Sequence, residues 1–478
     1  MSGHRRGAAQ DGRLAGAVFW AFAALIAWAP LPFGSNRPWA WLLLSGAALA
    51  LLGLWGAAAL ARPQIVRIGG MRYAAAAALF LTAIAWFLLQ TTTWLPSPED
   101  ALWRYAALTL GKAVPVTASL DPGATQLGVL RMLGYGAVFF LAMQYGRDAR
   151  YAERLLWVIA AAGTGYALYG LAIYLGGNET VLAYPKWTYK DDLTSTFVNR
   201  NAYGAYAGLG LLATLGLMGR LSSGGLTMGL GNRAGVTHFV DSLEPVFFVL
   251  VMAAFTSGTA LLLSHSRGAL AIAAAGILTM LAALAVGRTG RRRYIVLCGV
   301  ALAIVGLVIV EFSGRYTLGR MLHLSEQGAG RAEIHAMTWR AIEAAPVTGF
   351  GLDSFPQVFY LFRDETLGWD TPRFDKAHSA YLELAAEGGA AGFIGVAGAF
   401  AYIVAVLLAG LFRRRRSRIY PATALGAAAL VGVHAFYDFS IQIPAVTVTC
   451  LTLLGIGFAQ SWPTRDAEGE GEGGRAES

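Results

Sequence analysis

Charge is scarce in this chain. Asp, Glu, Lys and Arg make up 14% of its 478 residues, where a soluble domain carries roughly 25%. Cysteine is scarcer still. Cys298 and Cys450 are the only two, and both fall inside apolar runs. Neither a disulfide nor a metal site follows from them, and buried small apolar residues are the simpler reading. There is no GxxxxGK[ST] loop for ATP, and no His/Cys cluster has zinc spacing. We therefore expect no cofactor and no metal. A reaction here would need a substrate that is already activated. Cations would stand in place of a metal, with a side-chain base such as histidine. No cleavable signal peptide is expected either, because the basic stretch 1–13 leads into an apolar run long enough to span.

What the chain has in abundance is apolar sequence. Its hydrophobic share is 56% and its mean hydropathy +0.52. The apolar runs reach about 20 residues, enough to cross a hydrocarbon core of roughly 30 Å as a helix. Backbone satisfaction in lipid then makes the fold all-α. We expect about twelve spans, at 14–33, 39–60, 73–93, 125–145, 152–176, 199–219, 244–264, 268–287, 293–312, 379–409, 419–440 and 443–460. Residues 1–478 would form one transmembrane domain, and the acidic, glycine-rich tail 463–478 reads as a disordered cytoplasmic segment.

Arginine placement orients these spans. With Arg5, Arg6 and Arg13 cytoplasmic, the inside loops carry Arg62, Arg67 and Arg72, then Arg147, Arg150 and Arg154, Arg220 and Arg233, Arg288 to Arg293, and Arg413 to Arg418. The short outside loops carry far fewer. The net charge of +9 is thus a topological signal and not a sign of nucleic-acid binding. Both termini would end inside. Trp94, Trp103, Trp187 and Trp369 fall in or beside outside loops, where aromatic belts belong. Gly204 and Gly208 make a small-xxx-small pair suited to close helix packing.

One long polar stretch interrupts the pattern, between the ninth and tenth spans. Residues 313–378 form an outside loop with an amphipathic helix expected over 331–343. A glycine turn follows at Pro346-Val-Thr-Gly349-Phe-Gly351-Leu-Asp353, and the stretch closes on Ala377-His378-Ser379. The topology gathers nearly every unusual polar residue on this same outer face. Arg131 lies about six residues into the fourth span, roughly 9 Å from its outer end. Asn199 and Arg200 cap the sixth span, Arg267 sits in the turn Ser264-His265-Ser266-Arg267-Gly268, and His434 and Asp438 lie near the end of the eleventh. No closely spaced pair of outer aspartates suggests a divalent-metal site. Several cations on one face imply an anionic ligand, and a planar, permanently charged guanidinium suits a diphosphate. Each residue also has a plainer reading. Arg267 can snorkel. Arg131 can pair with an acid such as Glu311. Arg331 and His335 can be a solvated helix face, His378 an ordinary interfacial histidine, and Asp438 a helix-end residue.

The combination resembles the O-antigen ligase and O-antigen polymerase superfamily of bacterial envelope glycosyltransferases. The resemblance rests on Ser266-Arg267-Gly268, on Arg331 before Trp339-Arg340, and on Pro346 before Gly349-Phe-Gly351. It rests also on His378 before Tyr381-Leu382 and Glu387-Gly388, on the segment 196–201, and on His434 to Pro444. The family usually reads His-Asn where this chain has His378-Ser379. The resemblance implies a GT-C-like, metal-independent, inverting glycosyltransferase of the inner membrane, acting at its periplasmic face. Its donor would be a glycan on undecaprenyl diphosphate, and its acceptor lipid A-core or another lipid-linked glycan. His378 would take the acceptor's proton, and Arg267 and Arg331 would hold the diphosphate. Arg131, Asn199, Arg200, His335 and Asp438 would contact substrate. Transport of a small anion such as bicarbonate is the alternative, since some relatives carry that label. Transporters, however, bind near the bilayer midplane, and here the charges lie at the outer face.

Overall fold

The computed structural model describes residues 16–221, 245–286, 324–365, 374–413 and 417–463. These residues are almost wholly helical. In order they form α1 (Gly16–Trp28), α2 (Pro38–Ala61), α3 (Ala74–Gln90), α4 (Asp100–Leu110), α5 (Pro122–Gly146) and α6 (Ala149–Leu175). After a two-stranded hairpin of Thr180–Val181 and Tyr184–Pro185 come α7 (Arg200–Leu221), α8 (Pro245–Leu263), α9 (Arg267–Ala285), α10 (Leu324–Ala344) and α11 (Phe355–Phe362). The chain continues through α12 (Ala380–Arg413), α13 (Ile419–His434) and α14 (Pro444–Gln460).

Every expected span coincides with one of these helices except 293–312, which lies outside the described residues. Among the described residues, seven helices are long and apolar enough to cross a membrane, or eight if the segment 63–72, bent by 80° against α3, is counted with it. The chain is thus a polytopic membrane protein. α1, α13 and α14 are apolar but shorter. The expected eleventh span, 419–440, stops earlier. Its helix ends at His434, and the chain turns through residues 435–439 before Pro444 starts α14. Proline fits the first turn of a helix and cannot continue an earlier one.

Lipid tails are as apolar as leucine, so packing and not water exclusion holds the spans together. Small residues allow the close approach. A Cβ on Gly204 would lie 2.3 Å from the Ala269 Cβ of α9, and one on Gly208 would lie 2.8 Å from Leu430 of α13. The small-xxx-small pair thus faces two neighbours. The end of the bundle away from α10 is tied by arginines. Arg67 pairs with Asp148 at 3.2 Å and Arg220 with Glu153 at 2.6 Å. Arg147 donates to the carbonyls of Ala459 and Trp462, at the negative end of α14.

The opposite end carries a small core of its own. Ile334 and Met337 of α10, Phe355 and Phe359 of α11, and Ala377 are fully buried together, with Phe362 and Phe374 packed against them. Burying one such side chain is worth about 1.5–3 kcal/mol. The expected helix over 331–343 is present and longer, as α10.

The glycine turn locks this core onto the bundle. α12 breaks at Gly389, at φ +57° and ψ −168°, and the freed backbone groups pair with the turn. Phe350 N–H donates to Ala386 O at 3.0 Å, Gly351 N–H to Glu387 O at 2.9 Å, and Ala390 N–H to Pro346 O at 2.8 Å. The Gln90 amide reaches Thr348 O and Glu387 O, and the Trp86 indole reaches Gly388 O. A Cβ on Gly349 would fall 2.3 Å from Glu387 O, so only glycine lets the two backbones meet.

Candidate functional site at the α10 end of the bundle

Three loops converge beside α10. The first, 186–200, places Asp192, which is 8% exposed. Its carboxylate accepts from Arg200 Nη1 at 2.8 Å and faces His265 Nδ1 at 3.0 Å. The Arg200 guanidinium lies over the Tyr189 ring, 5.3 Å from its centre. The Lys186 ammonium, whose pKa burial pulls down against the carboxylates around it, donates to Asp192 O at 2.6 Å.

The second loop is the turn from Ser264 to Arg267. Ser266 caps α9 by accepting from Ala269 N–H and donates to Asn201 Oδ1 at 2.7 Å. The Asn201 amide donates to Asp438 Oδ2 at 2.8 Å, and Ser440 Oγ donates to Asp438 Oδ1 at 2.6 Å. Asn199 accepts from Asn201 N–H at 2.7 Å and so caps α7. Two helix starts, a helix end and the 435–440 turn are thus joined through one buried carboxylate, Asp438, with the His434 ring 3.9 Å away. Arg267, the first residue of α9, projects into solvent.

The third loop delivers His378 at φ +53°, a left-handed backbone that non-glycine residues seldom adopt. Its ring stands between Phe374 and Phe439, with centroids 5.8 and 5.3 Å away. Its Nδ1 is buried without a hydrogen-bond partner among the described residues. Burial, then the positive charge of Arg331, then that of His335 push the His378 pKa below the ordinary imidazole range, while Asp438 pulls it up. The histidine is therefore neutral at pH 7, the state a base requires. Ser379 accepts from Leu382 N–H at 3.4 Å and donates to Ala435 O at 3.4 Å. It begins α12 and touches the 435 turn.

The expected residues sort into groups. Arg331, His378 and Asp438 share one electrostatic neighbourhood, and Tyr189 feels Arg200, Asp438, Arg331 and Asp192 together. His335 lies one turn from Arg331 with its Nε2 buried and unpartnered among the described residues. Arg267 and Arg331 are exposed, and neither has an ion-pair partner among the described residues.

Arg131 stands apart. Its Nη2 meets both oxygens of Asp353, at 2.6 and 2.7 Å, at the foot of the glycine turn. Sequence reasoning names Glu311 as a possible partner, a residue outside the described ones; the partner found is Asp353. Next to this pair, Lys376 donates to Glu383 at 2.9 Å, Ala377 N–H donates to Glu383 at 2.8 Å, and Phe355 N–H donates to Glu387 at 2.9 Å. Burial opposes the Lys376 charge, but Glu383, Asp353 and Glu387 outweigh it and raise its pKa.

Asp192 is the residue that sequence reasoning misses. Asp191 and Asp192 are adjacent in the 186–200 loop. Eight residues before Arg200, the doublet was the signal to find. Among the described residues no group of His, Cys, Asp or Glu is arranged to hold a metal ion.

A search of curated proteins finds no match to the chain. Residues 252–397, however, match the family model described as O-antigen ligase. That segment contains Arg267, Arg331, His378 and the glycine turn. Arg131, Asn199, Arg200 and Asp438 lie outside it. Residues 252–397, from within α8 to within α12, are thus similar to the O-antigen ligase family, and the match covers less than half of the chain.

Proposed function

We propose that the protein is a membrane glycosyltransferase that passes a glycan from undecaprenyl diphosphate to an acceptor hydroxyl at the periplasmic face of the bacterial inner membrane. The acceptor would be lipid A-core in a ligase or another lipid-linked repeat in a polymerase. The observation that carries this reading lies inside the segment that matches the O-antigen ligase family. There His378, whose Nδ1 is buried without a hydrogen-bond partner among the described residues, lies within electrostatic reach of Arg331, which has no ion-pair partner among them. Nothing found favours the alternative of anion transport.

In this reading the acceptor oxygen attacks the anomeric carbon as its proton passes to His378. The carbon–oxygen bond to the diphosphate breaks, and charge grows on the leaving phosphate. Arg267 and Arg331, free to turn toward it, stabilise that charge without a metal. Attack from the face opposite the leaving group inverts the anomeric centre. Arg200 and Asp438 shape the site through Asp192 and Asn201, and membrane lipids surround the spans.

The test is a deletion strain complemented with wild type or His378→Ala and analysed for envelope glycans. Loss of long glycan from lipid A-core with lipid-linked polymer accumulating means ligase. Single repeats in place of long chains mean polymerase. Unchanged glycans in the deletion strain would overturn the reading.

A further inference from the structure

Beside the candidate site is a cavity of about 200 Å³ lined by Phe33, Asn36, Tyr189, Asn199 and Phe439. Aromatic rings and two side-chain amides line it together with the aliphatic Val198, Ala202 and Ile443, and the lining holds no acid or base. Its position ties it to the reacting groups. Phe439 carries its ring 5.3 Å from that of His378, and Tyr189 lies beneath the Arg200 guanidinium.

Two of the lining aromatics sit on left-handed backbone, Phe33 at φ +56° and Tyr189 at φ +53°. Such a conformation in a bulky residue is strained and persists only where surroundings enforce it, most often at functional sites. Phe33 opens a run of three left-handed residues, Phe33, Gly34 and Ser35. A Cβ on Gly34 would lie 2.6 Å from the Phe197 ring, so the turn is pressed against the wall of the cavity.

The rim continues the same surface outward. The Arg37 guanidinium lies 5.3 Å from the Phe33 ring centre and 5.4 Å from that of Trp187. Tyr184 of the hairpin meets Phe33 at 5.7 Å. Trp187 and Tyr184 are 55% and 59% exposed.

We propose that this cavity is a saccharide subsite that takes one pyranose ring of the glycan substrate, its C–H face against Tyr189 and Phe439 and its hydroxyls on the amides of Asn36 and Asn199. The proposal rests on the glycosyltransferase reading for its substrate class. A pyranose presents an apolar C–H face and an equatorial ring of donors and acceptors, which matches rings faced by amides. Asn199 Oδ1 is occupied by the backbone of α7, so its NH2 is the group left to donate. A phosphate would find no cation among the lining residues. An acyl chain would leave the Asn199 NH2 that lines the cavity without a partner. Trp187 and Tyr184 extend the track for the next sugar.

The test uses the full-length protein in nanodiscs of phosphatidylethanolamine and phosphatidylglycerol. The probe is the oligosaccharide released by mild acid from the host's own surface polysaccharide, followed by saturation-transfer difference NMR. Wild type should pass saturation to pyranose C–H protons. Tyr189→Leu and Asn36→Ala should each weaken binding by about three- to tenfold. In a transfer assay they should raise KM by a similar factor and leave kcat within about twofold. Asn36 is exposed, so its replacement leaves folding intact. A glycan that receives no saturation from wild type, or that binds both variants as wild type, overturns the subsite. Binding without transfer would instead leave the subsite standing and sink the glycosyltransferase reading.

Discussion

Arg131 and Arg267 look alike in the sequence, each a lone arginine at the outer margin of a span, yet the fold uses them differently. Arg131 is committed. Both Asp353 oxygens sit on one of its nitrogens, and the pair lies beneath the glycine turn, where it pins the 346–353 loop to α5. Arg200 is committed likewise, to Asp192. Arg267 and Arg331 have no acidic partner among the described residues, and both reach solvent. A guanidinium whose charge is already matched has little attraction left for a diphosphate, while an unmatched one can still make the paired contact. The difference separates arginines that build the site from arginines that can meet the substrate.

Replacement of the exposed pair should break transfer without breaking the fold. For Arg267→Ala or Arg331→Ala we expect kcat to fall by about 10²–10³-fold, as when a single donor to a developing oxyanion is lost, with thermal unfolding unchanged. Lysine at either position should restore only part, because a point charge cannot make the paired contact. Normal transfer in either alanine variant, measured in membrane vesicles, would end the distinction from that side.

The committed pair should behave in the opposite way. Arg131→Ala should cost about 1.5–3 kcal/mol of stability, since it strands Asp353, and activity should fall with folded protein. A double-mutant cycle with Asp353→Ala decides the matter. The two losses should overlap strongly when combined, because each alone leaves a stranded partner. Additive losses would mean that the ion pair carries no coupling and that Arg131 is free for another role.

Much of this was legible in sequence. Apolar runs placed the spans because lipid demands continuous apolar helices, and α10 showed in the 331–343 period. The order of their motifs puts His378 and Arg331 in one loop, and they share one electrostatic neighbourhood. Partners across the bundle could not be read. Asp353 is 222 residues from Arg131, and nothing local marks it as the acid that meets Arg131. The turn Pro346-Val-Thr-Gly349-Phe-Gly351 reads only as a glycine turn in the long polar loop, and nothing local shows that its glycines seat it on the break at Gly389. The end of α13 at His434 was equally hidden, since the stretch 435–439 is apolar enough to continue a span.

The pH dependence sharpens the division further. With the His378 pKa held low by burial and Arg331, the unprotonated base persists as pH falls through the ordinary imidazole value of about 6.5. The acid limb of kcat/KM should therefore lie below that value. Asp438 favours the imidazolium, so Asp438→Asn should move the limb to still lower pH. Movement to higher pH would show that Asp438 acts on the rate by some route other than its charge on His378.

Arg340 gives the smallest and most discriminating effect. It follows Trp339 in the same family-like motif as Arg331, so sequence alone would rank the two together. In the structure Arg340 pairs with Asp364 at 2.6 Å, but the two side chains are 45% and 41% exposed. An exposed pair of this kind contributes about 0–1 kcal/mol, and water can take its place on either partner. Arg340→Ala should therefore shift the unfolding midpoint by little and leave transfer within about twofold of wild type, less than about half a kcal/mol. A loss as large as that of Arg331→Ala would mean that the ion pair with Asp364 opens during turnover and that Arg340 belongs with the substrate-facing arginines. The line between the two classes would then follow the motif rather than the charge pairing.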